Sequence, residues 1–174
     1  MKEKTSENLY VPDTIRTVSG RYVNIMHPTE EMISIIDIAH SLSRQCRFAG
    51  HLPEFYSVAS HSINCASLFA DPELRLTALM HDASEAYLVD IPRPIKPILT
   101  NYKDLEDKMM HVIAERFGFI FPFPKEIHEA DNYILQKEWD CLMLGSSQFM
   151  FDIKDMPQTQ DEFLNIFYSL KKQL

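Results

Sequence analysis

Apolar residues recur along most of this chain at the three- and four-residue spacing of one helical face. In the stretch 31–46 these positions are Met32, Ile35, Ile36, Ile38, Ala39 and Leu42. The same spacing predicts further helices over roughly 57–70, 72–87, 101–117, 124–144 and 160–172. The pattern therefore predicts a chain that is mainly helical.

Residues with known preferences for helix ends support several of these limits. Ser57 is a good N-cap, because its hydroxyl can accept a hydrogen bond from a free backbone N–H of the first turn. Asp71 followed by Pro72 combines a cap with a residue that suits the first helical turn. Gly118 predicts the end of the helix over 101–117, since glycine adopts the left-handed conformation common there.

Two stretches depart from the helical pattern. Residues 16–23 alternate apolar and polar positions around a Ser-Gly pair and predict a small hairpin. Residues 90–97 contain three prolines and are predicted to be extended and stiff. We expect an all-α fold, a helical bundle forming one domain over 1–174, with a small N-terminal hairpin. Residues 1–14 are expected to be loosely ordered, and 145–159 to form a loop.

Composition and charge narrow the classes of function. Only 4 glycines occur in 174 residues, which suits helices joined by short loops. The net charge of −8 argues against a protein that coats duplex nucleic acid, which needs clustered cations. No apolar run approaches the roughly 20 residues that span a bilayer, so no membrane association is expected. The three cysteines, Cys46, Cys65 and Cys141, form no C-x-x-C pair, so a zinc-knuckle site is not expected. Their odd number, together with no recognisable signal peptide, predicts a cytoplasmic protein.

The adjacent pair His81-Asp82 is the most informative feature. It follows Leu79 and Met80 in a predicted helix that is otherwise apolar, so both polar side chains are expected at the edge of buried space. Polar groups at that depth need partners, and a divalent metal ion would supply one to imidazole and carboxylate alike. The pair therefore predicts a metal site.

Two further residues could complete such a site. His61 lies on the preceding predicted helix, which an antiparallel arrangement would bring beside His81. Asp131 lies in a later helix among apolar residues. Either could instead have a structural role, His61 as a hydrogen-bonded core histidine and Asp131 as a helix cap or surface acid.

Four further residues could act on an anionic substrate. Glu85 is four positions beyond His81 and three beyond Asp82, which are same-face spacings on a helix. A carboxylate there could accept a proton from water, whereas the alternative is a solvated helix residue. Asp90 could act in catalysis or cap the proline segment. Lys96 and Arg47 could hold phosphate or be ordinary surface cations.

Five motifs resemble, in order, those of the bacterial 5′-deoxynucleotidases of the HD-domain phosphohydrolase superfamily. They are Arg47-Phe48, Ser60-His61-Ser62, His81-Asp82-Ala83-Ser84-Glu85, Asp90-Ile91-Pro92-Arg93-Pro94-Ile95-Lys96 and Ala130-Asp131. The N-terminal motifs are more similar to short phage-type members, which include dATP triphosphohydrolases; they are Ser19-Gly20-Arg21, Ile36-Asp37-Ile38-Ala39-His40 and Arg47-Phe48-Ala49-Gly50-His51. The resemblance covers about residues 15–140, and the chain beyond Gly145 matches nothing in it.

The resemblance implies an HD-domain bundle and a role for each site residue. The metal ligands would be His61, His81, Asp82 and Asp131. Glu85 would activate or orient water, Asp90 would support the nucleophile or leaving group, and Arg47, Phe48 and Lys96 would bind the substrate. Deoxynucleotidases carry Trp where this chain has Phe48, so the resemblance does not extend to selection of sugar and base.

These expectations lead to one leading hypothesis and two alternatives. The leading one is a deoxynucleoside triphosphate triphosphohydrolase of dATP type, using one divalent transition metal. Two histidines and two carboxylates would accept Co, Mn, Zn, Ni or Fe. The first alternative is a 5′-deoxynucleotidase acting on monophosphates, and the second is a nucleotide sensor that binds in the same pocket without turnover. Related proteins form dimers or rings, so a homo-oligomer is expected.

Overall fold

A computed structural model describes residues 11–146 and 151–174 of the chain. Within these ranges a short hairpin precedes seven α-helices, which are joined by loops. The elements are β1 (Thr14–Arg16), β2 (Tyr22–Asn24), α1 (Ile35–Leu42), α2 (Val58–Ser67), α3 (Pro72–Met80), α4 (Glu85–Leu88), α5 (Tyr102–Phe117), α6 (Lys125–Glu138) and α7 (Met156–Lys171). Short 3-10 turns lie at Glu30–Met32, Arg47–Gly50 and Lys96–Ile98, and a π-helical turn at Trp139–Met143 extends α6.

The fold is mainly helical, as predicted, with a core of apolar side chains between the helices. Among the side chains that are fully enclosed are Ile38, Leu42, Leu76, Leu79, Ile113 and Phe163. Helix α2 packs against α3, α6 and α7, and α7 also packs against α1 and α3. This arrangement brings the C-terminal end of α3 beside α2 and α6, which carry the other predicted metal ligands. No helix of the described ranges is long and apolar enough to cross a membrane.

The predicted helix caps are confirmed. The Ser57 hydroxyl accepts a hydrogen bond from the backbone N–H of Ser60, and the Asp71 carboxylate accepts one from Leu74. Gly118 ends α5 with a φ of 64°, in the left-handed region that glycine tolerates.

The predicted N-terminal hairpin is also confirmed. Strands β1 and β2 pair antiparallel with Ile15 opposite Val23, and the Val23 side chain is fully buried. The turn between them is fixed to α1, because the Ser19 hydroxyl donates to the Asp37 carboxylate at 2.7 Å and the Ser19 backbone N–H donates at 2.9 Å.

The helix predicted over 72–87 is interrupted at the informative pair. Helix α3 ends at Met80, and residues 81–84 form tight turns before α4 begins at Glu85. The His81 ring binds the Ala78 carbonyl oxygen at 2.7 Å, and the Ala83 N–H bonds three residues back to Met80. In an uninterrupted helix, the Ala78 carbonyl would accept a hydrogen bond from the backbone N–H four residues later. Here the His81 ring bonds to that carbonyl, and the backbone changes to the tighter i to i+3 hydrogen bonding of a 3-10 turn.

The segment predicted to be extended over 90–97 is partly turned. The Ile95 N–H donates to the Pro92 carbonyl at 2.8 Å, and a 3-10 turn follows from Lys96. Proline fixes a φ that suits the first position of a turn as well as an extended chain, and here the turn forms.

The other predicted limits shift by a few residues. The helix expected over 31–46 is a 3-10 turn followed by α1, and the loop expected over 145–159 ends where α7 begins at Met156. Residues 1–10 and 147–150, on which parts of the loosely ordered and loop predictions fall, lie outside the described residues. The single domain over 1–174 stays a prediction.

Candidate metal centre and adjoining pocket

The four predicted metal ligands come together where α2, α6 and the turn after α3 meet. His61 projects from α2, His81 and Asp82 from the turn after α3, and Asp131 from α6. His61 Nε2 lies 3.2 Å from Asp131 Oδ1 and 3.8 Å from Asp82 Oδ2, and His81 Nε2 lies 3.3 Å from the same Asp82 oxygen. Bonds of about 2.0–2.2 Å to a common cation place its ligand atoms roughly this far apart.

Both histidine rings are held so that the same nitrogen faces this cluster. His61 Nδ1 lies 2.7 Å from Glu138 Oε1, and His81 Nδ1 lies 2.7 Å from the Ala78 carbonyl oxygen. An oxygen acceptor at Nδ1 favours the tautomer that carries its proton there, and Nε2 then presents a lone pair. His81 Nε2 is buried and has no hydrogen-bond partner in the described part of the chain. The arrangement fits a metal ion, which would supply the missing partner.

A third donor of a different type lies beside the histidines. The Cys65 Sγ is 3.5 Å from His61 Nε2, and His61, Cys65 and His81 form a buried group that could hold a metal ion. Burial raises the pKa of the Cys65 thiol, although the His61 ring opposes this. A neutral thiol is a poor ligand, because the thiolate is the form that binds metals.

The two aspartates are better prepared to bind a cation. In the absence of a metal ion, burial alone would raise the pKa of Asp131, but the hydrogen bond that a protonated His61 ring donates and the His81 ring hold that pKa well below its usual range. Burial likewise opposes ionisation of Asp82, yet His81, His61 and Arg47 together lower its pKa. Both carboxylates are therefore ionised at neutral pH, which favours them over the thiol as ligands.

Arg47 is buried next to the cluster rather than exposed. Its guanidinium lies 3.3 Å from Glu138 Oε2, 3.7 Å from Asp90 Oδ2 and 3.9 Å from Asp82 Oδ2. Burial would lower the pKa of Arg47, but these carboxylates, Glu138 above all, raise it. The side chain thus keeps its positive charge inside the protein.

Glu85 and Lys96 form an ion pair at the edge of the same site. Lys96 Nζ lies 3.1 Å from Glu85 Oε1 and 2.8 Å from Glu106 Oε1. The other Glu85 oxygen, Oε2, is buried and accepts no hydrogen bond from the described residues. Burial raises the pKa of Glu85 well above its usual value, and the negative charges of Asp82 and Asp90 add to this effect. When it is ionised, Glu85 is therefore an unusually strong base.

These groups form the floor of a cavity of about 880 Å³. All of the predicted site residues line it except His61 and His81, which lie behind Asp82 and Asp131. Charged side chains line one part of the cavity: Arg47, Asp82, Glu85, Asp90, Arg93, Lys96 and Asp131. Apolar and amide side chains line much of the rest: Phe48, Ile91, Asn132, Leu135, Gln136, Trp139 and Met143. Clefts of this size commonly bind small molecules.

Comparison with known proteins places the chain among bacterial relatives. It is 41% identical to the uncharacterized protein YfdR of Escherichia coli over 146 residues, which are 84% of this chain and 82% of that protein. The chain belongs to the YfdR family. It is also 37% identical to an uncharacterized protein of Rhodobacter capsulatus over 124 residues, which are 66% of this chain and 63% of that protein. No family model matches the chain.

The structure of this YfdR-family member adds site residues that the sequence did not predict. Glu138 is fully buried and contacts both His61 and Arg47. Arg93 lies 3.0 Å from Asp131 Oδ2 at the mouth of the cavity. A weak signal existed for Glu138, because it follows Asp131 by seven residues and therefore falls on the same helical face.

Proposed function

We propose that the chain is a metal-dependent phosphohydrolase of the HD-domain type that acts on deoxynucleotides. The observation that carries the proposal is the buried cluster of two histidine Nε2 atoms and two ionised carboxylates at the floor of a charged cavity. The ordered motifs of the HD-domain resemblance support the same reading. The preferred substrate remains a deoxynucleoside triphosphate such as dATP.

In this proposal His61, His81, Asp82 and Asp131 hold the metal ion. A divalent cation bound there would acidify a water molecule and neutralise negative charge on the phosphate. Glu138 and the Ala78 carbonyl hold the two rings in the tautomer that binding requires. Cys65 is a further donor beside the two histidines.

The other charged residues would position the substrate and water. Glu85 Oε2, which is buried and unpaired within the described ranges, is the atom that would accept a proton from water. Arg47 is held rigidly by its carboxylates and would face the phosphate with a fixed positive charge. Burial raises the pKa of Asp90, despite the opposing charge of Arg47, so this acid would keep a proton for the leaving oxygen at a higher pH than an exposed aspartate.

Hydrolysis of a deoxynucleoside monophosphate is the second candidate, and one observation favours it. The cations that line the cavity are Arg47, Arg93 and Lys96, and each is already within 4.0 Å of at least one carboxylate in the described structure. A triphosphate carries more charge than a monophosphate and would need more of these cations to exchange partners. The two substrates release different products, so one assay separates them.

The test is hydrolysis by protein reconstituted separately with Co, Mn, Zn, Ni and Fe. We expect dATP to yield deoxyadenosine and tripolyphosphate, or dAMP to yield deoxyadenosine and inorganic phosphate, as read by ion-exchange chromatography. Asp82→Ala should abolish metal binding and turnover together. Asp107→Ala is the matched control, because Asp107 is an exposed acid on α5 that pairs with Lys103. Metal-loaded protein that binds nucleotides but hydrolyses none would instead indicate a sensor.

A further inference from the structure

One wall of the cavity is a continuous face of α6 and its π-helical extension. Asp131, Leu135 and Trp139 follow at intervals of four residues, and all three line the cavity. At 1.5 Å per residue, Trp139 lies about 12 Å along the helix from the predicted metal ligand Asp131. The wall thus leads from the charged floor to an aromatic end.

The Trp139 side chain is only partly covered by the protein. It is 43% exposed, and its ring lies 6.1 Å from the Phe48 ring at an interplanar angle of 46°. Core packing does not account for a half-exposed indole on the wall of a concave cavity. Aromatic faces in such clefts commonly contact planar ligands.

The position of Phe48 comes at a conformational cost. Phe48 has a φ of 54° and Ala49 a φ of 51°, so two successive residues other than glycine are left-handed. The surrounding backbone holds them there, because the Arg47 N–H donates to the Tyr56 carbonyl at 2.9 Å and Cys46 forms a bridge with Ser57. Strain of this kind persists where neighbouring structure enforces it, and it is common at ligand sites.

We propose that Trp139 is the stacking platform for the base of the substrate, with Phe48 packing against the edge of that base. The proposal rests on the proposed function and adds the class of ligand, an aromatic nucleobase, together with its orientation in the cavity. The two rings are too close for a base to enter between them, so the base lies on the open face of Trp139. Asn132 and Gln136, on the same wall, place amide groups beside it.

The single tryptophan of the chain provides a direct binding assay. Metal-loaded protein would be titrated with deoxyadenosine, which has the base but no phosphate, and with 2-deoxyribose 5-phosphate, which has the phosphate but no base. We expect deoxyadenosine to quench the Trp139 fluorescence, excited at the red edge of its absorption, and 2-deoxyribose 5-phosphate to leave it unchanged. Quenching by neither ligand, or equally by both, would overturn the proposal.

The kinetics of the Trp139→Leu variant provide a second test of base stacking. The KM for the nucleotide should rise roughly 5- to 150-fold, the range expected for loss of one aromatic stack, while the inhibition constant of 2-deoxyribose 5-phosphate stays constant. Trp139→Phe should restore most of the loss. Tyr133→Leu is the matched control, because Tyr133 is a half-exposed aromatic on α6 that does not line the cavity. Circular dichroism would verify that each variant folds.

The outcomes separate this proposal from the proposed function. If the wild-type protein hydrolyses nucleotides and Trp139→Leu leaves their KM unchanged, the platform is wrong and the phosphohydrolase stands. A Trp139→Leu variant with an unchanged KM but a smaller assembly in solution would also overturn the platform, since the indole would then serve contact between copies. If the wild type hydrolyses nothing, the phosphohydrolase is wrong, and quenching by deoxyadenosine still tests base binding.

Discussion

Replacement of Glu138 by glutamine should weaken metal binding, although Glu138 is not itself predicted to touch the metal. Glu138 Oε1 lies 2.7 Å from His61 Nδ1, and Oε2 lies 3.3 Å from the Arg47 guanidinium. Burial would raise the pKa of Glu138, but the His61 ring and Arg47 lower it, so a charged carboxylate orients His61. Glutamine keeps the shape and one acceptor oxygen but loses that charge.

The expected magnitude follows from these two contacts. Loss of a carboxylate partner to a metal-binding histidine typically weakens metal affinity 10- to 100-fold, which is about 1.4–2.8 kcal/mol. The new amide group also faces Arg47, so that two donors oppose each other. Among the described carboxylates, Asp82 and Asp90 then remain near Arg47, at the longer distances of 3.9 and 3.7 Å. The melting temperature of the metal-free variant should therefore also fall, by roughly 2–4 °C for each kcal/mol lost.

Competition with a coloured chelator would measure the affinity of Glu138→Gln for Zn and Co. The matched control is Glu129→Gln, because Glu129 lies on the same helix but is exposed and paired with the exposed Lys125. We expect the control to bind metal as the wild type does. If Glu138→Gln also bound metal with wild-type affinity, the role assigned to the charge of Glu138 in orienting His61 would be wrong.

Two further predictions concern the donor set and the buried acid beside it. Cys65→Ser should keep most of its metal content, because burial holds the Cys65 thiol neutral, whereas Asp131→Asn should lose its metal. The opposite result in metal analysis would favour a site formed by His61, Cys65 and His81. Burial raises the pKa of Glu85 in the folded state above its ordinary value of 4.5, so the folded protein is more stable when Glu85 is protonated. That contribution to the free energy of unfolding is lost as the pH rises through the raised pKa. Glu85→Gln, which mimics the neutral acid, should abolish turnover and raise the melting temperature of the metal-free protein more at about pH 8 than at about pH 5. An equal effect by calorimetry at both pH values would contradict this reasoning.

Local patterns along the chain carried enough information to predict the mainly helical fold and its hairpin. Ser57, Asp71 and Gly118 act through their own backbone neighbours, so their roles can be recognised without knowing how the helices pack. The break after Met80 was not predicted, because its cause is a hydrogen bond between the His81 ring and the Ala78 carbonyl. Apolar periodicity does not register a bond of that kind.

The sequence predicted some residues of the candidate site but not the contacts that hold them in place. His61, His81, Asp82 and Asp131 could be selected because their residue types and order resemble a known ligand set. Glu138, by contrast, reaches His61 across 77 positions of sequence through the packing of α2 against α6. A contact of this kind depends on the angle and depth of two helices, which short-range patterns do not determine.

Anomalous scattering from a crystal of the metal-loaded protein is the most direct test of the proposed metal site. We expect a peak about 2.0–2.2 Å from His61 Nε2, His81 Nε2 and a carboxylate oxygen each of Asp82 and Asp131. After a brief soak with a deoxynucleotide, phosphate density should lie on the Arg47 side of that peak. A peak held by Cys65 without the two carboxylates, or a metal bound elsewhere on the protein, would show that the proposed ligand set is wrong.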